Sequence, residues 1–211
     1  MKSINPATGQ VTAEYEEHSQ AQVEAILTAN RSALTCWGNH RPDERAAILH
    51  RAAALFEEST ERLSGLITLE MGKPRGEALA EVKRCVNVCR FYADNAPAML
   101  APQKPEGAPE GASIVFEPLG AVLAIMPWNF PLWQVMRCAA PVLMAGNSFL
   151  LKHAPTVTGC ALAMEEIMAG SGLPADLLRV LVIPEDRVAD VIADRRVRAV
   201  SLTGSCRAGA A

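Results

Sequence analysis

Along the first hundred residues, apolar positions recur at helical spacing. In "SQAQVEAILTANRSALTCW", which starts at Ser19, the residues Val23, Ile26, Leu27, Leu34 and Trp37 fall on one face. Ser19 and Gln22 form the pattern in which side chain and backbone cap each other at a helix start. Pro42 opens a second helix at a position where its missing N–H costs little, and Ile48, Leu49, Ala52 and Leu55 give that helix an apolar side. A third helix is predicted from Thr60 to Met71, stopped by Gly72–Pro74, and a fourth from Glu77 to Asn95.

The pattern then changes twice. "APQKPEGAPEGAS", residues 101 to 113, is rich in proline and glycine and reads as a loop. "SIVFEPLG" alternates apolar and polar and reads as a strand, which Pro118 assigns to an edge that reaches outward or pairs with a partner. From residue 120 short apolar runs alternate with helical ones. "GAVLAIM", "NSFLLK", "LRVLVI" and "VRAVSLTG" read as strands. Helices are predicted between them from Leu132 to Met144, over "TVTGCALAMEEIMAG" and over "PEDRVADVIAD". Apolar strands joined by helical crossovers predict a parallel sheet covered on both faces, an α/β doubly wound, Rossmann-like fold.

Charge and cysteine usage narrow the partners. Formal net charge is −3 and no basic stripe is visible, so no nucleic-acid partner is expected. The longest apolar runs, around Val122–Met126 and Val142–Ala145, fall far short of a membrane span. "MKSINPATGQ" lacks the apolar stretch of a signal peptide, so a cytoplasmic location is expected. The six cysteines read as free thiols. Cys85 and Cys89 lie four apart on a predicted helix and read as packing rather than half a metal site, because no second pair or nearby histidine accompanies them. No metal is expected.

Several short stretches carry candidate chemistry. "GSGLPA", residues 170 to 175, matches G-x-G-x-x-A but follows a helix and leads into a strand, so Gly170 and Gly172 read as a helix stop. "SLTGSCRAG", residues 201 to 209, has the strand–turn–helix context of an anion site. Gly204 allows a tight turn there and Ser205 sets a hydroxyl at the helix mouth, although the spacing equally suits a plain connection. Lys152 closes a strand and is either a ligand to hydroxyls or phosphates or a solvated surface lysine. Asn129, in "MPWNFPLWQVMR", lies just past a strand end. Its amide can donate to a developing oxyanion or satisfy a turn. Arg137 follows eight residues later and either forks onto a carboxylate or makes a structural ion pair.

Taken together, these stretches resemble the aldehyde dehydrogenase superfamily along essentially the whole chain. "INPATGQV", "LEMGKPRGEALAEV", "EPLGAVLAIMPWNFP", "LLKHAP", "GLP" and "SLTGS" follow in the family's order and at its spacing. The resemblance implies oxidation of an aldehyde to a carboxylic acid with NAD or NADP. In the family a cysteine thiolate attacks the aldehyde, an Asn amide and a backbone N–H hold the oxyanion, hydride passes to the nicotinamide, and a Glu-activated water cleaves the thioester. Asn129 is then the oxyanion donor, while Met126, Pro127 and Trp128 line the cofactor and tunnel wall. Lys152 contacts the adenosine ribose and Ser205, beside Gly204, the pyrophosphate. Apolar walls around Asn129 are expected to lower the local dielectric and strengthen its one amide. Arg137 stands where succinate-semialdehyde dehydrogenases carry an Arg for the substrate's remote carboxylate. "KHAP" also resembles a bacterial branch of those enzymes. Pro155 occupies the place where many NAD-preferring members hold the ribose 2′-OH with a Glu, which leaves NAD and NADP both open.

The same resemblance divides the chain into three parts. Residues 1–100 form the helical amino-terminal part of the cofactor-binding domain. Residues 101–119 form a loop and the edge strand of an oligomerisation hairpin. Residues 120–211 form an incomplete Rossmann-like NAD(P)-binding region. None of the six cysteines has the family's nucleophile context, and the Glu base is also missing. The chain is therefore expected to stop before the catalytic domain. Two readings follow: part of a complete, homo-oligomeric semialdehyde dehydrogenase, or a non-catalytic module that binds cofactor or a subunit.

Overall fold

The computed structural model describes residues 1–210, so the expected third part, 120–211, ends one residue outside them. An antiparallel hairpin opens the chain, with β1 (Lys2–Ile4) against β2 (Val11–Glu14). Hydrophobic periodicity gave no sign of it. The signal was the turn chemistry: the Asn5 side chain accepts the Ala7 N–H at 2.9 Å, and Gly9 takes a φ of 71°.

Four helices follow: α1 (Gln20–Gly38), α2 (Pro42–Glu58), α3 (Thr60–Met71) and α4 (Arg75–Met99). The expected capping box starts α1. The Gln22 N–H donates to Ser19 Oγ at 3.3 Å and the Ser19 N–H to Gln22 Oε1 at 2.7 Å. Gly72 ends α3 in a left-handed conformation with φ 75°, and a Cβ there would meet Pro6 at 2.9 Å. Helix α4 outruns its predicted end by a turn, with Pro97 inside that last turn at the cost of the one N–H bond to the Ala93 carbonyl.

The sheet has four parallel strands: β3 (Ala121–Met126), β4 (Ser148–His153), β5 (Leu178–Val180) and β6 (Val197–Leu202). Their order is β5-β4-β3-β6. The chain winds outward from β3 through α5 (Trp133–Met144) to β4 and through α6 (Thr158–Gly170) to β5. It then returns through α7 (Val188–Ala193) to the other side of β3, so the winding reverses between β3 and β6. A short α8 (Cys206–Ala210) follows.

Alternation along the strands separates two cores. Ala124, Met126, Phe149 and Leu151 pack with α2, α4, α5 and α6, while Leu123 and Leu150 pack with Val23, Ile26 and Leu27 of α1 and Val191 of α7. Each Leu, Ile, Val, Phe or Met side chain fully buried here contributes about 1.5–3 kcal/mol. The larger cluster runs from Ala33 to Val182, so the first hundred residues share one core with the sheet. Gly170 ends α6 and Gly172 takes a φ of 86° before β5, which bears out the reading of "GSGLPA" as a helix stop.

The expected strand over 113–120 does not form. A single antiparallel bridge joins Gln103 and Ile114. Pro118 offers no N–H to a ladder, and Ile114, Val115, Phe116 and Leu119 remain exposed. The "LRVLVI" strand is also shorter than expected. The Leu181 N–H still donates to the Leu151 carbonyl at 2.8 Å, but beyond it the chain leaves the ladder and the Val182 carbonyl accepts the His18 N–H at 2.8 Å. Among the described residues no helix is long and apolar enough to cross a membrane.

Candidate active site at the carboxyl edge of the sheet

Strands β3, β4 and β6 end level. The Ala154 N–H donates to the Met126 carbonyl at 3.1 Å, and the Thr203 N–H to the Ile125 carbonyl at 3.0 Å. The segments that follow these strands therefore leave one edge of the sheet together. In doubly wound folds this edge, at the reversal of winding, is where ligands bind.

The turn after β3 is held from beneath by residues far away in sequence. Lys73 and Glu81 form an ion pair in which both side chains are almost fully buried. Lys73 Nζ also donates to the Asn129 carbonyl at 2.8 Å and lies 3.7 Å from the centre of the Phe130 ring. Glu81 Oε1 accepts the N–H groups of Leu132 and Trp133 at 2.9 and 3.1 Å, where α5 begins and its dipole favours a carboxylate. From the other side, buried His153 Nε2 donates to the Pro131 carbonyl at 2.7 Å while Nδ1 accepts the Ala154 N–H at 2.8 Å. This pairing requires a neutral ring, and burial brings its pKa down to about 4.

Asn129 itself is exposed, and no hydrogen bond ties its side-chain amide to another described residue. Its backbone is fixed while its donor group is free for a ligand. The expected apolar enclosure is not present: Trp128 is 54% exposed beside it. Met126 is only 3% exposed and packs in the core, so it supports the crevice floor instead of lining a wall. Pro127 is half-buried at the rim.

Lys152 is 5% exposed on the α1 side of β4, and its ammonium makes no hydrogen bond or ion pair with another described residue. Burial pushes its pKa down and the carboxylate of Glu185 opposes the shift. The stem is buried while the ammonium, absent from the buried atoms that lack a partner, still reaches solvent, so it is free to meet a ligand's oxygens. Pro155 begins a 3-10 turn just beyond and brings no carboxylate to the site.

Arg137 lies on the exposed side of α5, and its Nη2 donates to Thr203 Oγ1 at 3.3 Å across the reversal point. No carboxylate among the described residues pairs with it, which removes the structural ion pair as an account of this residue. Ser205 is exposed and its Oγ accepts the Ala208 N–H at 3.2 Å, so in this chain the hydroxyl caps α8. Gly204 is not required by the turn. A Cβ there would make only ordinary contacts, with Ala208 at 3.5 Å and Leu202 at 3.7 Å.

All six cysteines are free. Burial pushes the thiols of Cys85 and Cys160 well above the usual range, that of Cys89 up to about 12, and that of Cys138 up as well. An attacking thiolate needs the opposite shift. Among the described residues no group of three His, Cys, Asp or Glu side chains is placed to hold a metal.

Sequence reasoning missed Lys73, Glu81 and His153. Glu81 did leave a signal, because it sits on the apolar stripe of α4 with Ala78, Val82, Cys85 and Cys89. A carboxylate at such a position requires a buried partner. Lys73, in a connection, left no such mark.

The whole chain, residues 1–211, matches the model of the aldehyde dehydrogenase family. A "Probable succinate-semialdehyde dehydrogenase" of the NADP(+) type from Synechocystis sp. is 44% identical over 99% of this chain and 46% of its own length. The succinate semialdehyde dehydrogenase Sad of Escherichia coli, of the NAD(P)+ type, is 42% identical over 99% of this chain and 45% of its own. A crystal structure of succinic semialdehyde dehydrogenase from Streptococcus pyogenes, in complex with NADP+, superposes with a TM-score of 0.93 at 33% identity, covering 99% of this chain and 46% of that one. The chain thus spans less than half the length of these relatives. Over that span, sequence and fold agree that the chain belongs to the aldehyde dehydrogenase family.

Proposed function

We propose that this chain carries the cofactor and oxyanion sites of an NAD(P)-dependent dehydrogenase that oxidises succinate semialdehyde to its carboxylic acid. The observation that carries the reading is the placement at one edge of the sheet of an exposed Asn129 amide, a Lys152 without a protein partner and an Arg137 without a carboxylate partner among the described residues. The names of the similar proteins support the same substrate and cofactor class.

Each group has a part in that chemistry. A bound nicotinamide dinucleotide supplies the hydride acceptor. Lys152 binds the ribose of the cofactor, and Ser205, at the mouth of α8, faces its phosphates. With a neutral Pro155 in place of a carboxylate, the site accepts a 2′-phosphate as well as a free hydroxyl. Pro127 and Trp128 form the open rim, and Met126 holds it from the core. Asn129 donates its amide to the aldehyde oxygen as negative charge develops there. Arg137 forks onto the far carboxylate and so selects an ω-carboxy aldehyde over a neutral one. The attacking thiolate and the general base come from outside this chain, in a complete, homo-oligomeric, cytoplasmic enzyme. By itself, the 211-residue chain binds cofactor without turnover, a reading supported by the raised thiols of Cys85, Cys89, Cys138 and Cys160.

The test is Arg137→Ala in the active enzyme that contains this chain. A bidentate charge-assisted pair contributes on the order of 2 kcal/mol, so KM for succinate semialdehyde should rise about thirtyfold while KM for butanal stays within twofold. Equal changes for both aldehydes would remove the carboxylate role.

A further inference from the structure

The buried Lys73–Glu81 pair lies outside the set of residues that touch substrate or cofactor in the reading above. Its contacts are nevertheless concentrated on the Asn129 turn. Lys73 holds the Asn129 carbonyl at 2.8 Å and covers the Phe130 ring at 3.7 Å. Glu81 holds the Leu132 and Trp133 N–H groups at 2.9 and 3.1 Å. The pair is 6% and 1% exposed, and it is built from the connection between α3 and α4 and the first turns of α4 rather than from the sheet.

Burying two charges is costly, and a well-packed apolar pair of similar volume is often as stable or more so. An ion pair kept at this location is explained better by what it orients than by the stability it adds. A backbone carbonyl and two helix-start amides are bound by opposite ends of one pair, so the turn between them has one permitted geometry. The side chain of Asn129 lies in that turn, exposed and without a hydrogen bond to another described residue. Misplacing a catalytic donor by about 1 Å costs on the order of a hundredfold in rate.

We infer that Lys73 and Glu81 are positioning residues that set the place of the Asn129 amide and thereby tune kcat. The inference rests on the proposed function in its catalytic link, while its structural link stands alone.

The two links are tested separately. Hydrogen exchange of backbone amides is followed in this chain and in its Lys73→Met and Glu81→Gln variants. Exchange at Leu132 and Trp133 should accelerate at least tenfold in Lys73→Met and less in Glu81→Gln, which keeps an acceptor oxygen. Exchange at Gly159 and Cys160, held by Glu70 at 2.9 and 2.8 Å, should not change. If exchange at Leu132 and Trp133 is unchanged, or if all amides accelerate together, the pair does not position the turn. In the active enzyme, Lys73→Met should lower kcat at least tenfold with both KM values within twofold, and Lys73→Arg should recover most of the loss. Unchanged kcat with a loosened turn overturns the positioning role. Asn129→Ala in the same assay tells the two failures apart, since an unchanged kcat there overturns the proposed function and leaves the exchange result to judge the clamp.

Discussion

Asn129 illustrates how one residue is divided between fold and chemistry. Its carbonyl is tied to Lys73 while its amide stays exposed and unbonded to the described residues. If the amide stabilises an oxyanion, Asn129→Ala should lower kcat about a hundredfold with little change in KM, as loss of one oxyanion donor does elsewhere. Steady-state kinetics of the active enzyme checks this, and an unchanged kcat would take Asn129 out of the mechanism. Legibility at this scale followed side-chain chemistry. Asn129, Lys152 and Arg137 stood out because each places a polar group in apolar company, at a strand end for the first two and along a helix for the third. For Arg137 no carboxylate among the described residues supplies the ordinary alternative of a structural ion pair, while Lys152 keeps a buried stem and an ammonium without a protein partner. Met126 and Gly204 were drawn into the site by the motif around them. The structure gives Met126 to the core and shows that the turn at Gly204 has room for a side chain.

At the scale of elements, the turn after β4 joins two functions, cofactor choice and stability. Lys152 and Pro155 flank His153 and Ala154 there, and Pro155→Glu would set a carboxylate where a 2′-phosphate is proposed to lie. Like charges brought together at a binding site are strongly unfavourable, so the ratio of NADP+ to NAD+ affinity should fall at least tenfold, about 1.4 kcal/mol. Isothermal titration of both cofactors reads this directly. Buried His153 gives the same turn a pH dependence. Its pKa is about 4 in the fold against 6.5 in an open chain, so the unfolded state binds the proton first as pH falls. Its contribution is complete above pH 6.5 and is lost progressively down to about pH 4, by about 2–3 kcal/mol. Urea unfolding at pH 7 and pH 4.5 should show that loss in the parent and a smaller one in His153→Gln. Equal losses would mean His153 is not the group responsible. Helix ends were readable at this scale because caps are local chemistry, as Ser19, Gln22 and Gly72 show. The 113–120 strand misled because alternation reports a strand's readiness to pair, and among the described residues this segment's one pairing is the bridge between Ile114 and Gln103.

For the whole molecule, the doubly wound sheet was legible because apolar strand runs and helical periods alternate cleanly from residue 120 onward. Less legible was how far the long helices of the first hundred residues merge with it into one core, because periodicity marks a buried face without naming what covers it. Some surface remains open. Val200 and Leu202 on β6 are exposed along the sheet's edge, as are Ile114, Val115, Phe116 and Leu119 in the preceding loop. Unpaired edges and apolar patches of this kind promote association. The 211-residue chain should therefore melt at a temperature that depends on its concentration and sediment partly as larger species. A concentration-independent monomeric melt would show that these surfaces are tolerated. The most direct test of the central account is a calorimetric titration of NADP+ into this chain and its Lys152→Met variant, with succinate semialdehyde oxidation followed on the same samples. The account predicts binding by the parent, at least tenfold weaker binding by the variant, and no turnover by either. No binding by the parent, or equal binding by both, would contradict the cofactor site at the carboxyl edge, and turnover would contradict the assignment of the nucleophile to a part of the enzyme outside this chain.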